Sequence, residues 1–285
     1  MTELEYQRPP DTMWSKIGQT VLAAGNAVGA GAAALGRSAA GAYHFVDPDL
    51  RRQFFQAPLL GLMSLAPTQN DIRSAEQSVR RERPVLLVHG LGGHPRHFSA
   101  VQRYIKHVGG RYSKAVDLRD GASLEAMAQR MREHIAEATN SCTSEAPNKI
   151  DMITHSMGGI VARLALEDKA TRKRVATLIT MGTPHRGTHL ARLADTPHIV
   201  DLRPGSTIVE RLACQDFWHT SHGPRLIALW SHCDTTILPP ESAAWEAAEA
   251  HEMANFTHLS YLLNPDAWQF LLRVLRTSTP NLTDR

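Results

Sequence analysis

From residue 84 onward, short uninterrupted apolar runs alternate with longer stretches in which apolar positions recur every three or four residues. PVLLVHG at 84–90, KIDMITHS at 149–156, VATLITMGTP at 175–184 and LIALWSHCD at 226–234 are of the first kind. Runs of this length that stop at polar or turn residues predict strands buried on both faces. Residues 99–107, residues 123–139, IVARLALED at 160–168 and the leucine-rich run after residue 258 have helical spacing. Apolar strands alternating with helices predict an α/β fold, a mostly parallel central sheet with helices on both faces. We find no internal repeat.

Before residue 84 the texture differs. Residues 17–36, IGQTVLAAGNAVGAGAAALG, carry no charge over a length that spans a bilayer, but most of them are alanine and glycine, and Asn26 sits in the middle. Such residues contribute little transfer energy, so a stable lone membrane-spanning helix is not expected. Gly25 and Gly29 have the small-xxx-small spacing that permits close helix approach. Phe54, Phe55, Leu59, Leu60, Leu62 and Met63 then form an apolar cluster, followed by the polar stretch TQNDIRSAEQSVRRERP at 68–84. Residues 1–79 are therefore expected to be a helical extension that packs on the main domain or meets a membrane surface. Residues 80–285 are expected to form the main domain.

Composition narrows the function. In 285 residues with 42% hydrophobic content, the net charge is only +3, with a short basic cluster at Arg80, Arg81 and Arg83. This is no footprint for nucleic acid. Cys142, Cys214 and Cys233 are too few and too irregularly spaced for a disulfide framework or a zinc knuckle, and they fit thiols in a reducing compartment. A Cys214–Cys233 bridge stays open at this level. The opening MTELEYQRPPDTMW lacks the basic and apolar regions of a secretory signal. A cytoplasmic chain, with membrane association through the extension, is the expectation.

The stretch MITHSMGGIVAR at 152–163 sets Ser156 between a strand-like and a helix-like run, with small residues beside it. A serine hydroxyl is a weak nucleophile until a base takes its proton, so the fold must expose its oxygen to a histidine. The G-x-S-x-G elbow does so by a sharp turn from strand to helix. Here Thr154 replaces the first glycine of that pattern, while Gly158 keeps the second. A second glycine loop, His89-Gly90-Leu91-Gly92-Gly93, succeeds an apolar run. Its Leu91 N–H and the Met157 N–H together would make a two-donor oxyanion hole. The rival reading, a phosphate loop, lacks the G-K-[ST] ending.

The segments VHGLGG at 88–93, THSMGG at 154–159 and MGTPHRGT at 181–188 resemble the α/β-hydrolase superfamily, within it the bacterial lipase and esterase branch. The resemblance covers about residues 84–276, and Thr154 departs from the strict pattern much as alanine does in small bacterial lipases. It implies the triad order serine, acid, histidine. Asp234, beyond the run LIALWSHCD, is then the acid in preference to Asp201 or Asp216, and His258 is the base in preference to His251, which reads as a polar surface position. The resemblance also implies a lid at about 188–225, from which Leu190, Ile208, Leu212, Phe217 and Trp218 would face the acyl chain. His89 and His155 read as packing or loop-shaping residues. The pairs His94 with His97 and His185 with His189 lack a carboxylate or cysteine at ligand spacing, so no metal is expected. No cofactor is implied.

These features together point to a serine carboxylic-ester hydrolase acting on lipid acyl esters. An acyltransferase or phospholipase would use the same residues, and a catalytically silent membrane-bound binding module would not need Ser156.

Overall fold

The computed structural model describes residues 49, 52, 56, 59, 83–118, 123–140, 149–219 and 223–277. The stretch 17–36, most of the apolar cluster that comes after it, the polar stretch 68–82 and Cys142 lie outside the described residues. Among the described residues, no helix is long and apolar enough to cross a membrane.

Six strands form one parallel sheet: β1 (Val85–Val88), β2 (Ser113–Val116), β3 (Ile150–His155), β4 (Val175–Met181), β5 (Arg225–Trp230) and β6 (Glu249–Glu252), in the order β2-β1-β3-β4-β5-β6. Alternation of side chains across each strand sends successive residues into two separate cores. Leu86, Val88, Met152, Leu178 and Ala228 enter one core, while Val85, Leu87, Ile153, Ile179 and Ile227 enter the other. This is why the strand sequences read as continuous apolar runs.

The helices are α1 (Ser99–Gly109), α2 (Leu124–Asn140), α3 (Met157–Ala165), the short α4 (Lys169–Lys173), α5 (Pro197–Val200), α6 (Thr207–Ala213), α7 (Ser260–Leu263) and α8 (Pro265–Thr277). The first core is closed by α2 and α3, and the second by α1 and α8. The expected helices at 99–107 and 123–139 correspond to α1 and α2.

Strands β2 and β6 escape the sequence pattern. Both are four-residue strands at the two edges of the sheet, and their residues SKAV and EAHE are partly exposed, so neither reads as an apolar run. His251, expected on the surface, lies in β6 and sets its ring edge-on against Phe270 at 4.9 Å.

At the end of the sheet away from Ser156, a buried ion cluster ties four segments together. The carboxylate of Asp151, fully buried at the start of β3, accepts from Arg111 Nη2 at 2.6 Å and Arg83 Nε at 3.3 Å. Arg111 also donates to the backbone carbonyls of Arg83 and of Leu275 in α8. A buried charge is tolerated only when partnered in this way.

Candidate active site

Strand β3 ends at His155, and α3 begins at Met157. Ser156 between them has φ 56° and ψ −131°, a conformation that a residue with a Cβ adopts only under constraint from its surroundings. The constraint is visible: Ser156 N–H donates to Met181 O at 2.9 Å, and Ser156 O accepts from Thr183 Oγ1 at 2.9 Å. A serine before a helix normally caps it with its side chain. Here the hydroxyl makes no capping bond, so Oγ is left for other chemistry.

The turn is possible because its neighbours are glycines. A Cβ on Gly158 would lie 2.6 Å from His89 O, one on Gly159 would lie 2.2 Å from Thr183 Oγ1, and one on Gly90 would lie 2.6 Å from Ser156 Cβ. Thr154, which departs from the elbow pattern, is buried within the sheet and donates its hydroxyl to Ile179 O at 3.2 Å. Its branch fits a pleated strand, and its polar atom is satisfied on the next strand.

The chain-order expectation for the acid and base meets a specific geometry. Asp234 lies four residues past β5, is 1% exposed, and holds His258 Nδ1 at 2.9 Å with Oδ2. Its Oδ1 accepts the N–H groups of Thr236 at 3.0 Å and Ile237 at 3.3 Å. Both carboxylate oxygens are therefore engaged, and the imidazole is oriented with its proton on Nδ1, since a carboxylate can only accept. Gly182, at φ 55°, passes beside this pair; a Cβ there would meet Asp234 Oδ2 at 2.9 Å and His258 Nδ1 at 3.2 Å. Asp201 caps α5 instead.

Ser156 and His258 line one cleft of about 120 Å³ with His89, Gly90, Leu91, Gly92, Gly93, His97, His155, Leu259 and Leu262. Leu91 thus shares the cleft with Ser156, and Met157 opens the first turn of α3, where N–H groups have no partner within the helix. The positive end of that helix favours an anion at the same spot.

Two histidines of the cleft, His97 and His155, are hard to protonate. Burial, and then the like charges of His94 and His89, push His97 down to about 4. Burial, and after it the nearby His258, holds His155 well below the usual imidazole range. The neutral His155 ring lies 4.6 Å from that of His258 and donates from Nε2 to His258 O at 2.8 Å. His89 packs as a loop-shaping residue, with Nδ1 3.0 Å from Gly90 O and Nε2 accepting Leu118 N–H at 3.3 Å. His94 Nδ1 accepts the N–H of Arg96 at 3.0 Å, and His97 Nδ1 accepts that of His94 at 3.2 Å, so each caps the short turn Pro95–Phe98. His185 is buried 4.6 Å from the ring of Trp245 and near Arg163, which also makes it hard to protonate.

The five residues expected to face an acyl chain lie away from this cleft. Ile208 and Leu212 of α6 and Trp218 are buried in the core on the α2–α3 face, Phe217 packs beside them under the Arg172 guanidinium at 4.0 Å, and Leu190 is partly exposed; none of the five lines the cleft. Among the described residues, no sheet strand lies between 188 and 219, and of this segment Ile208, Val209, Leu212 and Trp218 are buried while Leu190 and Leu193 are exposed. A stripe that faces a ligand and one that faces a sheet have the same period. Cys214 and Cys233 are both free thiols, so the bridge between them does not form. Tyr261 is a residue the sequence did not flag: buried beside Asp234, its hydroxyl has no hydrogen-bond partner among the described residues, and burial raises its pKa well above the phenol range.

Comparison with solved structures bears on the fold. Lipase B of Aspergillus fumigatus superposes with a TM-score of 0.58, at 20% identity over 75% of this chain and 59% of that one. The mature form of the lipase BlEst2 of Bacillus licheniformis gives 0.56, at 16% identity over 70% of this chain and 94% of that one. The chain has the α/β-hydrolase fold.

The sequence is similar in part to two further groups. The family model for palmitoyl protein thioesterase matches residues 84–223. The GPI inositol-deacylase of Cryptococcus neoformans var. neoformans serotype D (strain B-3501A) is 31% identical over 126 residues. That match takes in 43% of this chain and 15% of the relative's length. The segment matched by the thioesterase model includes β1, the glycine loop and the Ser156 turn.

Proposed function

We propose that this chain is a serine hydrolase that cleaves acyl esters or thioesters through an acyl-enzyme on Ser156. One observation carries the reading. Ser156 is held at φ 56° with its hydroxyl uncapped, in the same cleft as an imidazole whose Nδ1–H is fixed by a buried carboxylate.

His258 Nε2 takes the Ser156 proton as Oγ attacks the acyl carbon, and Asp234 stabilises the imidazolium that results. The oxyanion formed from the carbonyl oxygen faces the Leu91 and Met157 N–H groups. Losing one donor of such a pair costs ~3 to 4 kcal/mol of transition-state stabilisation. His258 returns the proton to the leaving alkoxide or thiolate, and water, activated by the same imidazole, releases the acid.

The likeness to palmitoyl protein thioesterases and to a GPI inositol-deacylase favours a fatty acyl group as the part recognised. Both names describe removal of an acyl group from a larger molecule, one as a thioester. A cleft of about 120 Å³ is small against the ~300 to 1,000 Å³ of usual ligand pockets, so it suits the acyl carbonyl and its first carbons, with the rest of the chain lying outside.

Hydrolysis of p-nitrophenyl esters from C2 to C16, alongside the matching S-acyl thioesters, tests the assignment. Turnover abolished by Ser156→Ala supports it, and the two series rank thioester against oxyester. Turnover unchanged in Ser156→Ala would defeat it.

A further inference from the structure

The loop that carries His258 is gripped from the N-terminal side of the chain. Asp49, Arg52 and Gln56, which precede β1 in the sequence, are each helical. The Gln56 carboxamide reaches both ends of the histidine loop. Thr257 Oγ1 donates to Gln56 Oε1 at 2.5 Å, and Gln56 Nε2 donates to Ser260 Oγ at 3.2 Å. Ser260 Oγ also accepts Thr257 N–H at 3.0 Å and lies 3.0 Å from Thr257 Oγ1. With Thr257 donating to Gln56, the Ser260 hydroxyl is left to donate to Thr257 Oγ1, so each hydroxyl has one assigned direction. Thr257 and Ser260 are almost fully buried, which makes such a closed network a rigid one.

Arg52 extends the grip. Its Nη1 donates to Asn255 O at 2.7 Å and lies 3.5 Å from Asp49 Oδ1. Asn255 sits at φ 61°, so the bend into the histidine loop is held where its backbone is least at ease. Asn255 Oδ1 is 4.0 Å from Cys233 Sγ, and Cys233 directly precedes Asp234. Gln56 therefore bears on the loop of the base directly, and Arg52, through Asn255, on the loop of the acid.

We propose that Gln56 is a positioning residue for His258, acting through Thr257 and Ser260 from the part of the chain that precedes the hydrolase fold. The proposal rests on the reading of Ser156, Asp234 and His258 as the reacting set. A base displaced by about 1 Å costs on the order of 100-fold in rate, so a clamp on its loop acts on kcat more than on KM.

The test compares the full chain as wild type, Gln56→Leu, Gln56→Glu and Thr257→Val. The readouts are kcat and KM on p-nitrophenyl butyrate, thermal midpoint, and the low-field NMR signal of the His258 Nδ1 proton shared with Asp234. Gln56→Leu keeps the shape and loses both contacts. It should lower kcat by about 10- to 100-fold with KM within about two-fold, and weaken or remove the proton signal. Thr257→Val cuts the same contact from the other side and should act alike. Gln56→Glu still accepts from Thr257 and receives the Ser260 hydroxyl by rotation, so it should restore most of kcat and the signal.

Folded Gln56→Leu and Thr257→Val proteins with wild-type kcat and an unchanged proton signal would overturn the proposal. So would an equal loss in Gln56→Glu that tracks only a fall in thermal midpoint, which marks a merely structural contact. If wild type itself does not turn over, the hydrolase reading fails. The proton signal then decides the clamp separately, an unchanged signal in Gln56→Leu overturning it.

Discussion

Ser156 occupies a backbone conformation that costs of order 1 to 3 kcal/mol, and the structure maintains it with bonds from Met181 and Thr183 and with glycines at 90, 158 and 159. Two consequences belong to this scale. Ser156→Ala should lower turnover on the order of 10⁶-fold while leaving the far-ultraviolet circular dichroism unchanged, and Asp234→Asn should lower it roughly 10⁴-fold, both read as kcat on a p-nitrophenyl ester. Gly90→Ala sets a methyl 2.6 Å from Ser156 Cβ, so the loop bearing Leu91 has to retreat. A fall of about 100-fold or more in kcat is expected, and a wild-type kcat would show that the loop does not approach the reacting atoms. The residue types of the cleft were legible because chemistry restricts them: a serine between strand and helix, an aspartate past a strand, a histidine downstream. Gln56, Tyr261 and the His155 ring against His258 were not, since contacts such as Gln56 with Thr257 join residues about 200 apart and leave no local period.

At the level of elements, what could be read was whatever carries a burial period of its own. Strands β1, β3, β4 and β5 face a core on each side and announce themselves as apolar runs, whereas β2 and β6 have one free edge and polar residues. Helix α6 shows the opposite limit: its stripe of Ile208, Val209 and Leu212 was visible, but a helical period does not say what it faces, and in the structure the three are buried. The Asp151 cluster makes an element-scale prediction, because it fastens β3 to the segments before β1 and β2 and to α8. Asp151→Asn removes the buried carboxylate charge that both guanidinium groups share and should cost about 3 to 5 kcal/mol in urea unfolding. The specific activity of the protein that remains folded should not change. A loss below about 1 kcal/mol would mean that the arginines find other partners.

For the molecule as a whole, acidity is a condition that weakens the fold. His155 and His185 are buried and held well below the usual imidazole range, mainly by loss of solvent. In the unfolded chain they protonate near pH ~6.5, so below that pH the unfolded state binds more protons than the native state. Stability is full above about pH 6.5 and falls as the pH drops, by up to ~1.4 kcal/mol per pH unit for each ring. Urea midpoints at pH 7.5 and 5.5 should differ in that direction, and a flat profile would contradict the burial of the two rings. Whether a single activated serine does the chemistry is decided by intact mass after treatment with a fluorophosphonate probe. One adduct is expected on the wild-type chain, mapped to Ser156 and absent from Ser156→Ala. A folded wild-type protein that takes no probe, or an adduct that persists in Ser156→Ala, would contradict that chemistry.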